Sequence, residues 1–343
     1  MNVKLFLACL LAALCAHAAD NATPAPAARL TEHRKIWDAA PHNAFTDLVR
    51  FNNRWYCVFR EGSGHVSPDG AVRVLTSDSG YWWESVARIE MPGFDLRDPK
   101  ITVMPGNARL MILGGATVRE GNNPATENQS FVALSDDGKK WGKVFWVGPT
   151  NSWLWRVTWH RTSGLGVAYD VTPASRAEKK YGTTLLLTKN GVDYDTLVPD
   201  FLTEGGPTEA TLRVSRENEL ICLQRRDGKG TNTAMLGISK QIPYDEWVWK
   251  DLGKFLGGPN FIQIPDGRWI ACGRLHNHGA DKKPKTVVCE LDVAKGELTP
   301  LLDLPSGGDS SYPGMVWHEG QLWITYYSSH EGKTAIYLAR VKL

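Results

Sequence analysis

One unit recurs six times along the chain: a short apolar strand, a tight turn and a second apolar strand. The pairs run 44–52 then 54–61, 96–104 then 109–115, 154–160 then 164–170, 207–215 then 219–225, 259–265 then 268–274, and 312–318 then 321–327. Stacked on one another, they align Asp47, Asp98, Arg156, Glu209, Asn260 and Tyr312, which lie 51, 58, 53, 51 and 52 residues apart. A unit this small cannot bury its own apolar faces, so neighbouring copies must cover one another. Gly or Asx turns, a further strand after each pair and no helical periodicity predict an all-β, six-bladed β-propeller. The segment 29–37 is placed as the fourth strand of the last blade, beside 333–342, so that the ring closes without an open sheet edge.

The N-terminus reads as an export signal: Lys4, an apolar run from Leu5 to Cys15, then Ala16-His17-Ala18. That run is too short for a membrane span and has the flanks of a cleaved peptide. The expected organisation is a signal peptide over 1–19, a flexible leader over 20–29 with Pro24 and Pro26, and a single propeller over 30–343. A secreted or periplasmic location follows. A net charge of +2 gives no basic footprint for nucleic acid, and no later segment is apolar enough to cross a bilayer. A monomer is expected. The 14 Trp and 10 Tyr suit buried strand faces and sugar-binding clefts alike. Cys57, Cys222, Cys272 and Cys289 follow the signal with no CxxC pair, so neither a metal nor a cofactor is expected. Cys272 and Cys289 fall on adjacent strands, as a disulfide or as two buried thiols.

Three turn segments resemble one another. Thr76 to Trp83 has the Ser/Thr-x-Asp-x-Gly-x-x-Trp form of an Asp box, Asp136 to Trp141 repeats its core without the leading hydroxyl, and Thr188 to Tyr194 is a degenerate copy. Such a hairpin turn is structural and lies away from the functional face.

In a propeller, residues at one end of the inner strands meet at one mouth. The aligned set is rich in charged and phenolic groups. The second strands add Arg60-Glu61, Tyr169-Asp170, Arg225-Arg226, Arg274 and Tyr327, and the loops add His65, His276, His278, His330 and Glu331. Like charges gathered in a funnel cost free energy unless a ligand or a network compensates.

Asp boxes, six blades and an export signal together resemble the sialidase (neuraminidase) superfamily over most of the mature chain. The resemblance implies a secreted exo-sialidase acting on glycans such as mucin O-glycans, with a sialylated glycan or glycoprotein as its partner. It places Glu209 and Tyr312 as the nucleophilic pair and Arg225 and Arg274 as carboxylate-binding arginines. Sialic acid carries a carboxylate on its anomeric carbon; arginines clamp it in bidentate fashion, and a phenol attacks that carbon without the repulsion a carboxylate would meet. The family's first-blade Phe/Tyr-Arg-x-Pro is replaced here by Asn43-Ala44-Phe45-Thr46-Asp47, and the nearest match is Leu96-Arg97-Asp98-Pro99 on the second blade. Arg97 is therefore the third clamp, with Arg156, Arg60, Trp155 and His276 as further substrate contacts. The acid or base is sought at Asp47 first and at His65 second. A second reading is a furanosidase-like propeller, with Asp47, Arg97-Asp98-Pro99 and Glu209 in catalytic roles, or a uronic-acid lyase. A third is a non-catalytic carbohydrate-binding propeller.

Overall fold

A computed structural model describes residues 27–119, 123 and 125–343. The expected signal peptide and most of the leader lie outside the described residues.

Six antiparallel four-stranded sheets surround an axis. The inner strands of blades 1 to 6 are His42–Phe51, Asp95–Val103, Ser152–His160, Pro207–Val214, Leu256–Gln263 and Ser310–His318. Arg29–Trp37 pairs with Ala335–Lys342 as the outer strand of blade 6, so the last blade is built from both ends of the chain.

Both faces of a blade meet a neighbouring blade, so the strands read as nearly continuous apolar runs rather than clean alternations. Each adjacent pair of blades encloses its own core. Leu48, Trp55 and Phe59 of blade 1 meet Trp323, Tyr327 and Leu338 of blade 6. Phe51 and Val58 of blade 1 meet Leu96 and Phe131 of blade 2. This geometry decides the cysteine question. Ala271 lies opposite Cys289, and Cys272 opposite Val288, so the two sulfurs point to opposite faces of the sheet. Cys289 packs in the core between blades 4 and 5, and Cys272 in that between blades 5 and 6. All four described cysteines are free.

The three turn segments share one geometry, with a register different from the sequence reading. Ser77, Ser135 and Thr188 each accept the backbone N–H three residues on, from Gly80, Gly138 and Gly191, at 2.8 Å in every case. The turn acceptor two residues after the hydroxyl is Ser79, Asp137 or Asn190. In the first copy the capping hydroxyl is thus Ser77, and Asp78 is free to pair with Arg54. The second copy does own its hydroxyl, Ser135. These turns join third to fourth strands, at the end opposite the loops described next.

Candidate active site at the propeller mouth

Every inner strand carries the same irregularity near its start. Two of its residues stand opposite one on the second strand: Phe45-Thr46, Asp98-Pro99, Trp155-Arg156, Thr208-Glu209, Gly258-Pro259 and Tyr312-Pro313. A bulge of this kind turns side chains out of the regular alternation. In four blades its first residue is left-handed: Phe45 (φ 65°), Asp98 (φ 50°), Gly258 (φ 61°) and Tyr312 (φ 56°). Bulky residues rarely hold such angles, and the surroundings must fix them. At Gly258 a Cβ would come within 2.9 Å of the Tyr312 ring, so glycine there makes room for the phenol.

The bulges split the aligned set into three kinds. Asp98 and Tyr312 are first bulge residues, Arg156 and Glu209 are second, and Asp47 and Asn260 follow the bulge. Asp47 is therefore not at the mouth, which corrects its expected role as acid or base. It is buried, and its Oδ2 accepts from Ile101 N at 2.9 Å and Arg156 Nη1 at 2.7 Å, linking blades 1, 2 and 3. Arg156 is buried and lines the channel with Asp47, which removes it from the substrate contacts at the mouth. Asn260 links blades 4, 5 and 6 in the same way, accepting from Arg213 and donating to Pro313 O. These groups line the channel below the mouth, a separate cavity of about 400 Å³.

At the mouth, Glu209, Arg225 and Tyr312 meet. Glu209 Oε1 accepts from Tyr312 Oη at 2.5 Å and from Arg225 Nη1 at 2.7 Å, and Gly258 N donates to Oε2 at 2.8 Å. Arg225 stands opposite the blade 4 bulge, and its Nε and Nη2 hold Asp227. Arg226 faces outward onto Thr233 and Asp251. Burial, then the Glu209 charge, push the Tyr312 phenol well above its ordinary pKa, against the pull of Arg225. With Tyr169, Tyr181, Arg176 and Lys179 these residues enclose about 460 Å³. Arg176 lies on, and Lys179 directly after, a single helical turn, Pro173–Glu178, capped by Thr172.

Asp98 lies close enough for its charge to act on Tyr312, Tyr169 and Lys100. Its carboxylate has no hydrogen-bond partner among the described residues. Burial foremost, and the charge of Glu209, raise its pKa, while Arg97, Lys100 and His65 oppose the rise. Lys100, which sequence reasoning overlooked, lies with its Nζ 4.3 Å over the Trp155 ring and 5.5 Å over Tyr312. Burial lowers its pKa to about 8. Trp155 itself is buried beneath Tyr312 and forms floor rather than a stacking surface for a sugar.

The other expected contacts divide. Arg97 reaches the mouth, over the Phe45 ring and bonded through Nη1 to His65 O and Asp95. Arg274 is held by Nη1 on Ser310 O. Arg60 is fully buried and is removed from the substrate contacts: it holds Asp95, Gly64 O and Ser67, pinning the loop 63–70. His276 stacks on Phe255, while His278 bonds Asp303. His65 is half exposed, with Nδ1 2.6 Å from Asp309 Oδ2. Asp309 was missed by sequence reasoning; its only signal was a place just ahead of Ser310-Ser311-Tyr312.

This architecture is a six-bladed β-propeller. No protein-family profile matches the chain, and a search of curated proteins finds no match. The fold is similar to a protein of unknown function from Dyadobacter fermentans (TM-score 0.77, 16% identity, 93% of this chain and 100% of that one). It is similar to the α-L-arabinofuranosidase Arb93A of Fusarium graminearum (TM-score 0.68, 12% identity, 91% and 98%). It is also similar to a Trypanosoma rangeli sialidase (TM-score 0.63, 11% identity, 92% and 59%).

Proposed function

We propose that this protein is an exo-acting glycoside hydrolase of sialidase type, working at the mouth where Glu209, Tyr312 and Asp98 converge. The observation that carries the reading is the Tyr312–Glu209 hydrogen bond of 2.5 Å, joined by Arg225. Tyr312 Oη attacks the anomeric carbon of the terminal sugar while its proton passes to Glu209. The bond to the leaving oxygen breaks as Asp98, whose pKa burial raises and so favours the acid form, donates a proton to that oxygen. Water then attacks the same carbon, losing a proton to Asp98, and the phenol recovers its own from Glu209. Arg97 and Arg274 each spend only Nη1 on the protein and keep donors for a sugar carboxylate. Sialic acid is the sugar such a clamp suits. That propellers of this shape include sialidase and arabinofuranosidase supports glycosidase chemistry in general.

One observation favours a second reading, a neutral furanoside substrate. Glu209, Tyr312 and Asp227 occupy Nε, Nη1 and Nη2 of Arg225, and Asp98 and Glu209, near enough for the charge of one to act on the other, are two carboxyls whose chemistry needs no clamp. A panel of aryl glycosides carrying sialic acid, arabinofuranose and uronic acid, with wild type beside Glu209→Gln, separates the two. Sialic acid release that the variant loses supports the first reading. Turnover of the arabinofuranoside alone overturns it in favour of the second.

A further inference from the structure

Where blade 6 meets blade 1, three side chains from distant parts of the chain converge: His42 at the start of the first inner strand, His65 in the loop 63–70, and Asp309 just before the last inner strand. Asp309 Oδ2 lies 3.1 Å from His42 Nε2 and 2.6 Å from His65 Nδ1, and the three donor atoms lie within 4.8 Å of one another. We propose that His42, His65 and Asp309 form a binding site for a divalent transition-metal ion, zinc by its donor set.

Two imidazole nitrogens and one carboxylate oxygen suit zinc and its neighbours, not the all-oxygen shells of calcium or magnesium. Tetrahedral ligation at ~2.0–2.1 Å spaces ligand atoms by roughly 3.3 Å, so the two separations to Asp309 need change by only tenths of an ångström. The other carboxylate oxygen, Oδ1, is already held by Tyr327 Oη at 2.7 Å, the outer hydrogen bond that orients a ligating carboxylate. The nearby cations Arg60 and Arg97 are both engaged by Asp95. His42 is buried but the His65 side chain is 49% exposed, so three protein ligands leave a fourth position open toward solvent. Phe45 packs against both His65 and Tyr312, at 5.4 and 5.0 Å between ring centroids. The open position thus adjoins the mouth, where water or a sugar oxygen can take it. Ligands at 42, 65 and 309 match no metal-binding spacing, and the absence of paired cysteines, on which the expectation of no metal rested, says nothing about them.

The test uses the whole chain, stripped with a chelator and titrated with zinc chloride by calorimetry. One zinc per chain is expected, with no comparable heat from calcium chloride. Asp309→Asn and His65→Ala should each weaken uptake on the order of 100-fold or more, and Tyr327→Phe by ~10–100-fold. His65→Ala changes a half-exposed side chain, and circular dichroism checks that each variant is folded. His278→Ala should bind zinc as wild type does. No uptake by wild type, uptake unchanged in folded His65→Ala, or uptake lost in His278→Ala each overturns the proposal. Zinc uptake is read without sugar, so its failure leaves the glycosidase reading standing, and the reverse.

Discussion

Replacing Asp47 by Asn should unsettle the ring without touching the chemistry. The Asp47–Arg156 pair is buried on both sides, with side-chain exposures of 2% and 7%. Removing one partner of such a pair leaves the other charge uncompensated, at a typical cost of about 3–5 kcal/mol. Asn keeps an oxygen able to accept from Ile101 N, which places the expected loss near the lower end, about 3 kcal/mol. Unfolding entropy scales as roughly 2 cal/mol/K per residue, so for a propeller of this size the melting midpoint should fall by about 5 °C. Thermal and urea unfolding of Asp47→Asn beside wild type measure this, and turnover per folded molecule should stay within about threefold. A variant as stable as wild type to within about 0.5 kcal/mol but without activity would refute the reasoning and return Asp47 to the chemistry.

Asp98→Asn should do the opposite, cutting activity sharply while leaving the fold intact. Its folded pKa is raised, so the native state loses stability as pH climbs from the ordinary carboxyl range toward the raised value. The Asn variant should lack that decline in pH-dependent melting. Lys100, with its pKa lowered to about 8, binds fewer protons folded than unfolded above that pH; stability should rise from about pH 8 to about 10.5, and Lys100→Met should flatten the rise. Tyr312→Phe keeps the Glu209–Arg225 pair but removes the nucleophile, so kcat should fall on the order of 10³-fold or more, while the melting midpoint moves little.

The propeller was legible in the sequence because its signals are local and repeat: apolar strands, turn residues and a period of about fifty residues. Closure by the segment 29–37 followed from the need to cover an edge. The positions of Glu209, Arg225, Tyr312 and Arg97 at one end of the blades were legible for the same reason, since each sits at a fixed place in a repeat unit. What alignment by number could not show was the two-residue bulge. It separates Asp98 and Tyr312 from Asp47 and Asn260 by two positions, which is enough to send one group to the mouth and the other to the channel. The substrate contact expected of Arg60 fails for a related reason. Arg60 ends its strand nearly as Arg225 and Arg274 do, but its partner is Asp95 of the next blade, and no local pattern records that pairing. His42 and Asp309 meet only because the ring closes, so nothing in either segment announces the contact.

The most direct test of the chemistry is to trap the enzyme with a fluorinated sialic acid that stalls the second step, then map the labelled peptide by mass spectrometry. One sugar on Tyr312, absent from Glu209→Gln, is the expected outcome. A label on Asp47, or turnover that persists unlabelled in Tyr312→Phe, would contradict the account.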